Sequence, residues 1–438
     1  MKFIFATSVC IVLFPGVMLA QKKPANRLPF EDNTLQNSKQ FTIMPYNRLI
    51  KSAGKVIAYG DSTLENHTLD VSVLPDKKNI VIEDRYGIAV LNIKSNKIIA
   101  RWSFVQDKNW NYLISTYSGI TSFTYKNKVF IAWGASGSGN RSAIMITSWD
   151  GFNISNVTGI SIDAISPASV ALPNQVIGNI EDGKLYLYVV LNGNNQLLKI
   201  DFDSKKIVYA VPTGVAPYGL CIVGNKAYVT NWAGPVVTDT IPEHAGTPWG
   251  GAYTDPVTGA TNPGSLSIIN NATGKPENEL QLGLHPSAII KSADDKYVYI
   301  TNGNSDYVSV IDVLKEQNID SIYTGLFEQR YHYYGSSPGA LLIDSGTGTL
   351  YVANGMDNAV AVIKLGKNGF SGSKGSTKIT GYIPTAAYPS GIEMVNQKLY
   401  ITNLEASGSR VLSKTLEFKS SSGQPLKAYT IHREIASL

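Results

Sequence analysis

The chain has 438 residues, 43% of them hydrophobic and 16% charged, a balance too apolar and too weakly charged for a disordered polymer. The net charge of +5 is spread along the length with no Lys/Arg run, which excludes the basic stripe that tracks a phosphate backbone, so no nucleic-acid partner is expected. Tyrosine (24) and glycine (39) are abundant, the composition of short strands punctuated by turns.

In chain order, Lys2 precedes an apolar stretch from Phe3 to Leu19 that ends at Ala20 before Gln21-Lys22-Lys23. This pattern predicts a secretory signal peptide over 1–20, followed by a linker over 21–40 and an exported chain, periplasmic or extracellular. Cys10 lies inside the apolar stretch and argues against a lipoprotein anchor; no later stretch is long and apolar enough to span a bilayer. Cys221 alone remains after cleavage, so no internal disulfide is expected, and its setting in Gly219–Val223 reads as a packing position.

Internal repeats decide the fold. Tyr228-Val229-Thr230-Asn231, Tyr299-Ile300-Thr301-Asn302, Tyr351-Val352-Ala353-Asn354 and Tyr400-Ile401-Thr402-Asn403 each follow a polar turn and end on Asn. Upstream of each stands a proline, Pro217, Pro286, Pro338 or Pro389, opening a small or apolar run. A third strand follows, as in Val308–Asp312, and a more polar fourth, as in Glu279–Leu282. Less regular copies at Asn79–Glu83, Val129–Trp133 and Leu185–Asn192 bring the count to seven. Four short antiparallel strands per repeat predict one propeller blade each, so 41–438 is expected to form an all-β, seven-bladed propeller. The Asn side chain is expected to bond the turn after its strand, and the Pro to fix φ at the entry to the innermost strand.

The seventh repeat reads as incomplete. Its first two strands occupy Gly391–Val395 and Lys398–Thr402, a long insertion from Leu404 to Ala436 follows, and the chain stops at Leu438. Gly54–Tyr59 is expected to add an outer strand from the other end, with the third strand missing, as in a fragment of a longer product. A second insertion runs from Ala233 to Gly264. Both follow a second strand, so both are expected on the face that carries His67, Tyr218, His285 and Tyr388.

The repeats resemble the YVTN, or YncE-like, branch of WD40/YVTN-type propellers. Met44–Arg48, Leu64–His67, Glu83–Ile88, Asn231–Gly234 and Ala245–Pro248 with Asp255–Gly259 are similar to exported proteins that fuse such a propeller to an alkaline-phosphatase-type phosphoesterase domain. The resemblance implies that catalysis would reside in a C-terminal domain absent here, with no nucleophile or metal ligand on this chain.

Five histidines exist and none pairs at metal-ligand spacing; no cofactor motif and no metal site is expected, the loose His244/Glu243/Asp239 group included. Gly137-Ser138-Gly139 lacks the nucleophile elbow and reads as a turn, as does Ser371–Ser376. The run Tyr331–Tyr334 reads as blade-edge packing or as a stacking surface. The expected function is a binding or scaffold module without a catalytic constellation, taking a protein partner or small ligand through His67, Arg85, Tyr218, Trp232, His285 and Tyr388 on the loop-bearing face. His285 and His67 read equally as rim histidines bonded to backbone. The alternative is a hydrolase such as a sugar lactonase, with His67, His285, Glu83 and Arg85 as acid–base candidates.

Overall fold

The computed structural model describes residues 42–43, 49–60, 66–239, 244–247, 250–257, 259–326, 335–366, 377–405, 415–419, 425–429 and 436–437. The expected signal peptide and linker, Met44–Arg48, the run Tyr331–Tyr334 and Ser371–Ser376 lie outside them, as do His332 and His432. Among the described residues no helix is long and apolar enough to cross a membrane.

The strands form an all-β propeller of antiparallel blades. Blade 1 consists of Thr68–Val73, Asn79–Asp84, Gly87–Asn92 and Lys97–Ser103. In blade 2 the innermost position is split into Ile114–Ser115 and Thr121–Tyr125, followed by Lys128–Gly137, Arg141–Trp149 and Ile154–Ile162. Blade 3 runs from Pro173–Glu181 through Lys184–Leu191 and Gln196–Asp201 to Ile207–Pro212. Blade 4 is Pro217–Val223, Lys226–Asn231, Gly264–Asn270 and Pro276–Leu282. Blade 5 is Pro286–Lys291, Tyr297–Asn302, Tyr307–Asp312 and Gln317–Tyr323; blade 6 is Pro338–Asp344, Thr349–Asn354, Ala359–Lys364 and Lys378–Pro384.

The expected count of seven blades, the last of them incomplete, is corrected to six blades among the described residues. The remaining sheet has two long strands, Ala387–Val395 and Lys398–Glu405, and two of two residues each, Ala436–Ser437 and Ala58–Tyr59. Among the described residues the insertion after Glu405 returns Ala436–Ser437 alone to the ladder, with Asn403 opposite Ser437, so the third strand is present but minimal rather than missing. Ala58–Tyr59 pairs outside it, as expected of the N-terminal segment. This sheet closes the ring onto blade 1: the Thr68 hydroxyl donates to the Asn403 carbonyl at 2.8 Å, and the Ser390 hydroxyl to the Thr68 carbonyl at 2.6 Å.

The strands are apolar on both faces because each blade is covered by its neighbours. Trp133, Tyr188, Tyr228 and Tyr299 are fully buried between blades, and Trp133 packs edge-on against Trp102 and Phe104 of blade 1. Each large side chain removed from water there contributes about 2–3 kcal/mol. Cys221 is buried in the same kind of seam, and burial pushes its thiol up to about 12.

The repeat residues stitch the inner strands together. The Thr230 hydroxyl donates to the Ser287 carbonyl of blade 5 at 2.8 Å while accepting the Gly219 amide at 2.8 Å. Asn354 bonds the turn after its strand, as expected, donating to Asp357 at 2.9 Å, whereas others reach further: Asn192 donates to the Pro217 carbonyl of the following blade at 3.0 Å. Asn231 and Asn302 donate to third-strand serines, Ser267 at 2.9 Å and Ser309 at 3.0 Å. The residue before each proline, Leu172, Ala216, His285, Ser337 and Tyr388, takes a left-handed φ of 50 to 57°. A proline restricts its predecessor by clashing with the right-handed helical conformation. The left-handed turn here swings that side chain onto the rim.

Candidate functional site at the mouth of the central channel

Pro217 pairs with Asn231, Pro286 with Asn302 and Thr68 with Asp84. Entry to the innermost strand and exit from the second therefore lie at one end of every blade. The first insertion leaves from this end as well. It carries a hairpin, His244–Thr247 with Gly250–Tyr253, and Ala252 packs with Val215, Ala216 and Ala233 beneath Trp232. The second carries Thr415–Lys419 paired with Pro425–Tyr429.

Three of the six expected site residues come together as one aromatic stack. The Trp232 ring lies 4.5 Å from Tyr218 at 25° and 4.5 Å from His285 at 20°. Tyr117 of blade 2 leans on Trp232 at 5.6 Å and 52°. Local structure explains the convergence: Tyr218 follows the blade 4 proline, Trp232 follows the repeat asparagine, and His285 is the left-handed residue before Pro286. The indole N–H of Trp232 is buried and makes no hydrogen bond among the described residues. Burial lowers the His285 imidazole to about 4, so the ring is neutral at neutral pH. Ser287 donates to the His285 carbonyl at 3.1 Å and lies 3.4 Å from its Nδ1. Ser287 thus holds the His285 backbone at the rim while the imidazole lies in the stack.

The other three stay apart from the stack core. Tyr388 lies against Gly355, where an added Cβ would meet its ring at 2.6 Å, and its phenol reaches Ser337 at 3.4 Å. His67 and Arg85 remain on blade 1, joined by the Arg85 amide donating to the His67 carbonyl at 2.9 Å; the Arg85 guanidinium sits 5.7 Å over Tyr86. His244 lies on the insertion hairpin. No three His, Cys, Asp or Glu side chains converge as metal ligands among the described residues.

The inner strands of blade 1 and the closing sheet also hold a carboxyl cluster that sequence reasoning named only in Glu83. Asp70, on the innermost strand of blade 1, is directly opposite Glu83 on the second strand, so the two side chains share a face. Asp70 accepts the Val71 and Gly119 amides, both at 2.8 Å, yet burial raises its carboxyl to about 6. Glu83 is fully buried and neither carboxyl oxygen makes a hydrogen bond among the described residues, while the backbone of Ile120 pulls its pKa down. Burial first, then repulsion from Asp70 and Asp84, raises Glu83 well above the usual range. Asp84 is raised by burial against the pull of Arg101, which is 3.2 Å away. Glu393, on the innermost strand of the closing sheet, is pushed to about 7 by burial and then by Asp70. The Tyr218 phenol is raised by burial and feels Asp70, Tyr388 and Glu83, so stack and carboxyls share one electrostatic environment.

The signal that would have found Asp70 is positional. Where the innermost strands of blades 4, 5 and 6 and of the closing sheet carry Gly219, Ala288, Ala340 and Gly391, blade 1 carries an acid. Gly391 shows why smallness matters next to it, because a Cβ there would meet the Asp70 carboxylate at 2.9 Å. A separate groove of about 320 Å³ opens at the other end of blades 5 and 6, lined by Asp294, Tyr297 and Tyr299 among others, and holds none of these residues.

No protein-family model matches the sequence, and no curated protein matches it. Solved structures do. Hydrazine synthase from Kuenenia stuttgartiensis is similar with a TM-score of 0.53 and 12% identity, over 83% of this chain and 96% of that one. The WD40 repeats of RRP9 are similar with a TM-score of 0.53 and 11% identity, over 79% and 89%. At such identities the likeness defines the fold, a β-propeller of WD40-like build, and nothing finer.

Proposed function

We propose that this chain is an exported binding or scaffold module that engages a partner or small ligand at the mouth of its channel. The observation that carries this reading is the Tyr218–Trp232–His285 stack, built from two blades and underpinned by the first insertion. Aromatic faces gathered beside solvent-reachable polar groups are the usual make-up of a recognition surface. The test is Trp232→Leu with Tyr218→Ala in the exported protein. Partner or ligand capture should fall by at least about tenfold, about 1.4 kcal/mol. Unchanged capture by a folded variant would sink the reading.

The closing sheet is read as a seventh, reduced blade, and the chain as YncE-like. The resemblance of the quoted segments supports a phosphoesterase domain as the fused partner. The intact mass of the native exported product decides this. A product far heavier than 47.4 kDa would support the fusion, and a mass near that value less the signal peptide would leave a free-standing binding module.

A second reading, a channel hydrolase such as a sugar lactonase, is favoured by one feature: Asp70 and Glu393 titrate near neutrality beside the channel, as acid–base groups must. Lactone turnover that disappears in Asp70→Asn would support it; no turnover above buffer would remove it.

A further inference from the structure

Blade 1 departs from the repeat at two consecutive positions. Where Thr230, Thr301 and Thr402 present hydroxyls and Asn231, Asn302 and Asn403 present amides, it has Glu83 and Asp84. Asp84 has a partner in Arg101. Glu83 has no ion-pair partner among the described residues: its carboxyl is wholly buried, unbonded at both oxygens among them, and on the same face of the sheet as Asp70 of the innermost strand. A buried carboxyl without a donor carries a desolvation cost that an arriving positive charge relieves. No third carboxylate or imidazole completes a metal-ligand set there among the described residues. The neighbouring surface is instead aromatic: the segment whose Gly119 amide donates to Asp70 also carries Tyr117, which leans on Trp232 in the Tyr218–Trp232–His285 stack. Aromatic faces attract organic cations, and a carboxylate at the end of such a surface fixes the charge.

We propose that the channel mouth binds a small organic ammonium ion, its charge directed at Asp70 and Glu83 and its apolar body against the Tyr218–Trp232–His285 stack. This inference rests on the channel mouth being the binding face and names the ligand class that it takes. The titratable and charged groups facing the site are Asp70, Glu83, Asp84 and Arg101 from blade 1, Glu393 and Tyr388 from the closing sheet, Tyr218 from blade 4 and His285 before blade 5. Binding therefore releases protons at pH 6 to 7, as the carboxyls ionise toward the cation.

The test titrates choline against its neutral carbon isostere, 3,3-dimethylbutan-1-ol, by calorimetry and tryptophan fluorescence. The protein has six tryptophans, so the optical signal is read as the difference between wild type and Trp232→Leu. Expected are choline binding at least about tenfold tighter than the isostere, and loss of that preference in Asp70→Asn and Glu83→Gln variants whose melting shows them folded. Proton uptake by buffers of different ionisation enthalpy should accompany choline binding and diminish in both variants. Equal binding of choline and isostere overturns the charge assignment while leaving the channel mouth a binding face. Displacement of choline by millimolar Ca²⁺ in wild type but not in Asp70→Asn overturns the organic-cation class. No response to choline, with capture of partners still lost in Trp232→Leu, overturns this inference alone; retention of capture in that variant removes the binding face as well.

Discussion

Blades 1 and 4 place the same four strands in the same register and differ in what occupies the inner seam. In blade 4, Thr230 and Asn231 are neutral, and each donates a hydrogen bond to a carbonyl or hydroxyl. In blade 1 the same positions hold Glu83 and Asp84, with Asp70 in place of a small residue. Blade 4 thus shows that neutral side chains satisfy these positions, with donors reaching neighbouring strands. Blade 1 shows a departure that costs desolvation energy and concentrates charge beside the channel. Proteins tolerate such departures where function compensates for them.

The largest effect should come from the one cation that balances this seam. Arg101→Met leaves Asp84 buried without its partner; removing one member of a buried pair costs about 3–5 kcal/mol, and about 3 kcal/mol is expected here because the guanidinium remains 27% exposed. The equivalent seam of blade 4 holds no ion pair at Asn231, so no single charge there should matter as much. Urea unfolding of both blades' variants makes the comparison. A loss below about 1 kcal/mol for Arg101→Met would mean that solvent, not Arg101, balances Asp84.

Next in size is the pH response. Asp70 is raised from 3.8 to about 6, so between those values the folded state keeps a proton that the unfolded chain has released, and stability falls as pH rises. Glu393, raised from 4.5 to about 7, acts in the same direction up to pH 7. His285, lowered from 6.5 to about 4, acts oppositely between those values, because there the unfolded chain holds the extra proton. The wild-type curve mixes these terms, and Asp70→Asn isolates one of them. Relative to wild type it should gain about 2 kcal/mol on going from pH 4 to pH 7. Parallel curves for the two proteins would remove the carboxyl cluster as a source of strain.

Thr230→Val tests the neutral side of the comparison. It orphans the buried Ser287 carbonyl and Gly219 amide, at an expected cost of about 1–2 kcal/mol. Glu83→Thr, which gives blade 1 the same hydroxyl, should change stability little at pH 5 and raise it at pH 7.5.

These residues also mark how far the sequence was legible. The Tyr-x-x-Asn repeats locate the second strands of blades 4 to 6 and the closing sheet, because a strand ending on a turn residue is a local signal. The rim aromatics were equally readable, since Tyr218, Trp232 and His285 each occupy a fixed offset from a repeat Pro or Asn. Asp70 and Glu393 were not. Each stands alone in an apolar strand, and only the ring closure that joins blade 1 to the closing sheet makes them neighbours. Nor was the reduced closing sheet fully readable, since the pairing of Asn403 with Ser437 spans an insertion with no repeat pattern of its own.

The smallest effect concerns the entry to the innermost strand, where blade 1 again differs. Ser337 takes φ 53° before Pro338, whereas His67, which precedes Thr68, is not among the left-handed residues. A left-handed conformation costs a side-chain-bearing residue about 1–2 kcal/mol, and glycine escapes this at the expense of greater freedom in the unfolded chain. Ser337→Gly should therefore stabilise by up to about 1 kcal/mol, less whatever the 3.4 Å contact with the Tyr388 phenol contributes. His67→Gly has no strain to relieve and should lose about 0.5–1 kcal/mol. Opposite signs for the two substitutions would tie the left-handed turn to the proline-led blades, with blade 1 entering its innermost strand by a different route. Equal signs would mean that the rim geometry is set by packing against the neighbouring blade, and that the proline only accompanies it.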